Sequence, residues 1–456
     1  MTTTETPTPL PTDNPQSTDD AAEDPWTVRP WTAFHRIGFR FLFLYTALFC
    51  LIFAQITFVY TGILGTLLPD DAIIWQMTAL APALSWVGHN VFGVDATLRM
   101  DSGSGDQTAI WILMFCILVA AAALTAVWSF LDRNRPGYTR LSAWWMTFLR
   151  LCLGGQMLFY GFAKLIPSQM PPPSLSALLQ PYGEFSPASV LWLQVGSSPV
   201  YEMLLGGVEV LGGILLFWTR TTTLGVLVSF VAMVQVFILN MTFDVPVKIL
   251  SAHLVLLSLI LLAPQFKNLF AMFVLERPAS APVTPRLFDT PERNRWSTRV
   301  QILLGVWVVL GTAQISWSGW HEYGSAAPKT ELYGIWEVRQ FSLDGREVPP
   351  LTTDQDRWRR VVFEVPGAVT VQQMNADLVT RPAVVDVDRG IIELPAPESA
   401  EPAASLRFER PAEDRLVLSG SLDGQQALIV LDRFDENSLP LLGRGFHWVQ
   451  EEPYFR

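Results

Sequence analysis

Charge is scarce in this chain. Asp, Glu, Lys and Arg make up only 16% of its 456 residues. The formal net charge of -11 leaves no basic region able to neutralise a phosphate backbone, so a nucleic-acid partner is excluded. Cysteine is nearly absent as well. Cys50, Cys116 and Cys152 lie in different apolar runs with no Cys-x-x-Cys spacing; they read as small buried hydrophobes, and no redox pair is available. Histidine is equally sparse. His35, His89, His321 and His447 fall outside the deep apolar runs, so His253 has no partner for a bis-His haem, and no metal site is expected. The first residues carry neither a basic start nor a short apolar run, which argues against a cleaved signal peptide.

Apolar residues are abundant. They make up 50% of the chain, and the mean hydropathy is +0.30, the composition of a polytopic membrane protein. Runs of about 20 apolar residues predict roughly seven spans, near 41–61, 109–130, 143–165, 200–218, 224–241, 247–264 and 300–317. Basic residues set their orientation. Arg29, Arg36 and Arg40, Arg133 to Arg140, Arg220, and the cluster from Lys267 to Arg299 all fall on one side, which is then the cytoplasm. The opposite loops agree, since 166–198 holds no Lys or Arg and 62–108 holds Arg99 against five Asp. The N-terminus is therefore expected inside, and the polar remainder beyond the last span outside.

This reading divides the chain into a disordered cytoplasmic tail at 1–28 and two spans with an extracytoplasmic interfacial loop at 29–139. A four-helix core follows at 140–265, then a cytoplasmic loop at 266–297, a seventh span at 298–318 and an extracytoplasmic β domain at 319–456. Within 62–108, Pro82 interrupts an apolar stretch carrying Trp75 and Trp86, which suits an interfacial helix. The turn Ser102-Gly-Ser-Gly-Asp106 feeds the second span, with Asp106 read as its N-cap or as part of an anion site. The Pro-rich 167–187 loop should cover the outer face. In the tail, short alternating runs separated by Asp344-Gly345, Asp388 to Gly390 and Asp423-Gly424 predict a small antiparallel β-barrel.

Ionisable residues inside apolar runs are expensive and usually paired. Arg150 lies ten residues past Arg140, about 15 Å into the bilayer, and Glu209 lies about 16 Å from the same side. The matched depths predict an Arg150–Glu209 pair. Nearer the outer face stand Tyr160, Lys164, Glu202, Asp244 and Lys248, with His253 about 14 Å deeper than Asp244. Asp244, before Val245-Pro246, also reads as a plain N-cap. Lys164 and Lys248 also read as snorkelling to the interface, and a buried ion pair also reads as a register device.

The run Phe148-Leu-Arg150, Gly154-Gly155 and Phe159-Tyr-Gly161-Phe-Ala-Lys164, followed by Glu209-Val-Leu-Gly212-Gly213 and Arg220, resembles the four-helix DoxX family. Asp244-Val-Pro-Val-Lys248 with His253 resembles a longer subgroup of it. The match covers about 140–265. The resemblance implies a protein of the bacterial inner membrane, in a family named for a subunit of a thiosulfate:quinone oxidoreductase. With no flavin motif here, the cofactor would be a bound quinone or belong to a redox partner protein, and Lys164, Glu209 and His253 would donate protons or hold quinone carbonyls. The barrel resembles the lipocalin-like family through Gly334-Ile-Trp336 and Arg433, which implies that Arg433 covers Trp336 at the closed end. Two functions stay open: a quinone- or lipid-linked membrane accessory, and a non-enzymatic scaffold or assembly factor presenting its barrel.

Overall fold

The structure is a computed structural model that describes residues 30–278, 286–395 and 403–455. The expected tail at 1–28 and part of the 266–297 loop lie outside the described residues. Long apolar runs satisfy their own backbone polar groups by forming helices. In chain order these are α1 (Ala33–Ile52), α2 (Ala54–Phe58), α3 (Trp75–Val87), α4 (Thr108–Leu131), α5 (Thr139–Leu165), α6 (Pro187–Gly196), α7 (Pro199–Phe217), α8 (Thr222–Thr242), α9 (Lys248–Leu262), α10 (Phe266–Phe273) and α11 (Pro291–Glu322). Among the described residues, six helices are long and apolar enough to cross a membrane: α1, α4, α7, α8, the run Lys248–Phe273 and α11. The remaining expected span, the third in chain order near 143–165, falls on α5, which is 27 residues long but interrupted by Arg150, Gln156 and Lys164.

The first expected span does not continue to residue 61 as one helix. Phe53 leaves the helical region with ψ 83°, and beyond α2 the chain tightens into a 3-10 stretch at Val59–Leu67. Gly62 turns there at φ 57°, under the Trp307 indole and against the backbone of Gly311. A side chain at Gly62 would be strained in backbone and blocked in space. Trp307 also donates its indole N–H to the Tyr60 carbonyl at 3.1 Å, so α11 clamps the broken end of the first helix.

α5 and α7 pack antiparallel through small residues, as close helix pairs do in apolar surroundings. Gly161 faces Val210, Gly213 faces Leu158 and Gly154 faces Phe217, each within about van der Waals reach of a missing Cβ. These contacts fix the register between the two helices, and therefore which polar side chains can meet.

After α11 the chain forms ten strands: β1 (Gly334–Leu343), β2 (Arg346–Glu347), β3 (Trp358–Phe363), β4 (Ala368–Gln373), β5 (Leu378–Pro382), β6 (Val384–Asp386), β7 (Ile391–Leu394), β8 (Ala404–Ala412), β9 (Arg415–Leu422) and β10 (Gln425–Arg433). The order β5-β4-β3-β1-β10-β9-β8-β7-β6 makes a nearly closed antiparallel barrel. A short α12 (Pro440–Gly443) follows. Two of the expected hairpins turn at Asp344-Gly345 and Asp423-Gly424, where both residues take positive φ, the geometry that matches strand twist. Trp336, Phe341, Ile429 and Leu431 are fully buried inside, so side chains fill the barrel. Outside it, the Pro-rich loop packs Leu175 onto Ile335 and Val362, and the Leu175 amide donates to Glu364 Oε1 at 2.7 Å.

On the barrel surface, burial pushes the Asp432 carboxyl up, but Arg415 at 3.0 Å and Arg339 at 3.1 Å outweigh it and hold it below the usual carboxylate range. A depressed folded value stabilises above the unfolded carboxylate value of about 3.9 and is lost as pH falls through the folded one. Asp432→Asn should therefore flatten the acid limb of the unfolding curve below about pH 4. At neutral pH it should cost less than about 1 kcal/mol, because the pairs are half-exposed. Denaturant unfolding followed against pH checks both.

Candidate functional site

Three polar side chains on α5, Gln156, Tyr160 and Lys164, are spaced four residues apart and so share one helix face. Lys164 Nζ meets Glu209 Oε2 of α7 at 2.9 Å, with the two side chains 8% and 4% exposed. The same ammonium reaches the Tyr160 carbonyl at 3.5 Å. Tyr160 Oη accepts from Gln55 Nε2 at 2.7 Å, and the Gln55 carbonyl accepts from Gln156 Nε2 at 3.1 Å. The result is a ladder, Gln156–Gln55–Tyr160–Lys164–Glu209, that runs from the break in the first helix to the α5–α7 contact. Two features leave it open to a further polar group. Lys164 has a third N–H to give, and Gln156 Oε1, on a residue with no exposure, has no hydrogen-bond partner among the described residues.

Glu202, seven residues before Glu209 on α7, is 1% exposed and accepts from the Met170 amide at 3.0 Å. It ties the start of the Pro-rich loop to the end of the ladder helix pair.

The expected Arg150–Glu209 pair does not form. With Gly154 opposite Phe217, four residues back along α5 bring Arg150 level with Thr221, beyond the end of α7. Arg150 instead donates to Thr222 Oγ1 at 2.8 Å and to Gln301 Oε1 of α11. Arg140 and Arg220 are not level with each other, so equal distances from them do not bring Arg150 and Glu209 to the same depth. The glycine contacts, not the terminal arginines, set the register.

His253 is also apart from the ladder. Its Nδ1 lies 2.7 Å from the Ile249 carbonyl, which can only accept, so that nitrogen carries the proton and Nε2 accepts from Tyr45 Oη at 2.8 Å. The ring stacks on Phe49 with centroids 4.0 Å apart, joining α9 to α1. Asp244 and Lys248 form a third, separate group. Asp244 is no N-cap: its φ is 53°, its side chain is 84% exposed, and it pairs with Lys248 at 2.9 Å. The α9 cap comes from far away in sequence, since Asp106 accepts from the amides of Lys248 at 2.8 Å and Ile249 at 3.0 Å. Asp106 is thus the cap of α9 and not of α4, and Lys248 Nζ lies 3.7 Å from it. Asp106→Ala should cost about 1–2 kcal/mol by loss of both cap bonds, whereas Asp244→Ala should cost under about 0.5 kcal/mol. Thermal midpoints of the two variants check the contrast.

In the barrel, Trp336 and Arg433 are register partners on β1 and β10, but the guanidinium over the Trp336 ring is that of Arg410, 5.8 Å from its centroid. Arg433 lies against Gly334 instead. The covering role expected for Arg433 therefore passes to Arg410.

Gln55 and Gln156 carry no charge to mark them, and Arg40, which in the sequence marks only the orientation of the first span, is buried. Arg40 holds Tyr138 Oη, Ser129 Oγ and the Asp132 carbonyl at 2.6–2.9 Å, pinning α1 to the α4–α5 turn. The spacing of Gln156, Tyr160 and Lys164 was the available signal for the ladder. No group of His, Cys, Asp and Glu among the described residues could hold a metal ion.

Compared with known proteins, the chain is 30% identical over 133 residues to the uncharacterized protein YwoB of Bacillus subtilis, covering 27% of this chain and 79% of that one. No family model matches, and no solved structure matches.

Proposed function

The chain belongs to the family of YwoB over its matched residues, and from the site itself we propose a multi-pass membrane protein that holds a quinone or another neutral lipidic molecule at the α5–α7 ladder. In this reading the apolar helices lie in a bacterial inner membrane, the N-terminus is cytoplasmic and the barrel is extracytoplasmic. The helical core is then DoxX-like, and the protein is an accessory to a redox partner protein. The observation that supports it best is Gln156 Oε1, a fully buried acceptor with no partner among the described residues, two helical turns from the buried Lys164–Glu209 pair. A ligand hydroxyl would donate to Gln156 Oε1, and a ligand carbonyl would accept the third N–H of Lys164. Such groups are costly in an apolar interior unless a partner completes them.

Lipid extraction and mass spectrometry of the purified protein test it. A quinone or neutral lipid should copurify, and Gln156→Leu or Glu209→Gln should deplete it. Equal recovery from all three proteins would discard the ladder as a binding site.

One observation favours a second reading, a scaffold or assembly factor. The barrel interior is filled by Trp336, Phe341 and their neighbours, so the barrel offers a surface and not a cavity. That reading expects the barrel alone to rescue a deletion strain, which the ligand reading does not.

A further inference from the structure

A cavity of about 730 Å³ opens between the Pro-rich loop, α6 and the segment after β10, remote in sequence from the ladder. Leu178 and Phe185 of the loop form one wall, Val190 and Leu193 of α6 a second, and Leu439 and Leu441 a third. Phe243, just past α8, closes the end towards the helices. A second lobe of about 400 Å³, lined by Trp192 and Val245, shares Ala177, Phe185 and Leu193 with the first. Both volumes lie in the range of small-molecule pockets.

The lining is apolar and carries no charge. None of the residues around either lobe is Asp, Glu, Lys, Arg or His; the polar ones are Gln180, Gln194, Tyr182 and serines. A phosphate or carboxylate head would lose its hydration there without a cation to replace it. A neutral head would find amide and hydroxyl groups able to hydrogen-bond it. The cavity also stands where Phe243 ends α8, at the rim of the apolar bundle, so a chain leaving the hydrocarbon would enter it directly.

We propose that this cleft binds the hydrocarbon chain of a lipid with an uncharged head, held between the helical bundle and the barrel. The proposal rests on the bilayer placement given above, but not on the ladder. Leu441 then acts as the wall through which an occupied cleft fixes the barrel to α6.

The test uses the full-length protein in lipid nanodiscs, photolabelled with a 16-carbon alcohol bearing a diazirine and an alkyne, with the fatty acid of the same chain as the charged comparison. Peptides carrying adducts are then identified by mass spectrometry. The alcohol should label the 173–197 and 439–441 segments, and hexadecanol should compete it away. The fatty acid should label them about tenfold less, the factor set by about 1.4 kcal/mol of lost head-group solvation. Leu193→Trp, which places a bulkier side chain at a residue lining both lobes, should sharply reduce cleft labelling while leaving that of Trp111 and Leu118, exposed on α4. Leu441→Trp on the opposite wall should do the same should Leu193→Trp fail to fold. Labelling of α4 without the cleft, equal labelling by acid and alcohol, or cleft labelling untouched by the tryptophan variants would each overturn the proposal. Absence of labelling on α4 would overturn the bilayer placement, and this inference with it.

Discussion

Replacing Lys164 by methionine should lower the thermal midpoint of the purified protein steeply, while adding Glu209→Leu to the same chain should restore most of the loss. Lys164 and Glu209 lie 2.9 Å apart with almost no exposure. Removing one partner leaves a buried charge uncompensated, at a cost of about 3–5 kcal/mol, whereas replacing both by apolar groups of similar volume is close to neutral. Glu209→Gln is the milder member of the series, because its amide oxygen can still accept from the ammonium. Arg150→Met provides the control. It loses the bonds to Thr222 and Gln301, but its effect should add to that of Glu209→Leu within about 0.5 kcal/mol, since the two sites share no partner. A large coupling between Arg150 and Glu209, with none between Lys164 and Glu209, would overturn the pairing. A deep loss in both single variants that the double variant does not recover would show that the ion pair itself, and not the avoidance of a lone charge, stabilises the bundle.

The contrast between Arg150 and Lys164 also shows what the sequence carries and what it does not. Apolar run length places the helices, and period-two alternation with Asp-Gly turns places most of the strands, because both signals are local. The strands that escape notice, β2, β5 and β6, are short, and β5 ends in Pro382, which suppresses the strand signal. Helix register is not local. It is fixed where Gly161 meets Val210 and Gly154 meets Phe217, and counting depth from loop arginines cannot reproduce it. Caps supplied in trans are invisible for the same reason, as with Asp106, which reaches α9 across 142 residues. The ladder lay in between. Gln156, Tyr160 and Lys164 shared a helix face in plain sequence spacing, but a search for charge passes over a neutral amide, and Gln55 joins only through the break at Phe53.

Two adjacent glycines on α7 should respond in opposite directions to the same substitution. A methyl group at Gly206 would overlap the Leu165 amide nitrogen and the Gly161 carbonyl, both backbone atoms of α5. Neither can rotate away, so Gly206→Ala must push α5 and α7 apart, at about 1–3 kcal/mol of overpacking. Because Gly206 precedes Glu209 by less than one turn, the separation should also stretch the Lys164–Glu209 contact. Gly206→Ala should then weaken the coupling between those two residues in a double-mutant cycle, a readout that simple overpacking elsewhere would not move. At Gly207 the methyl group meets nothing within 4 Å, and the helix gains up to about 1 kcal/mol from alanine's higher propensity. Gly207→Ala should therefore hold or raise the thermal midpoint. If both variants destabilised alike, the close approach of α5 and α7 at Gly206 would be wrong, and with it the register that brings Lys164 to Glu209.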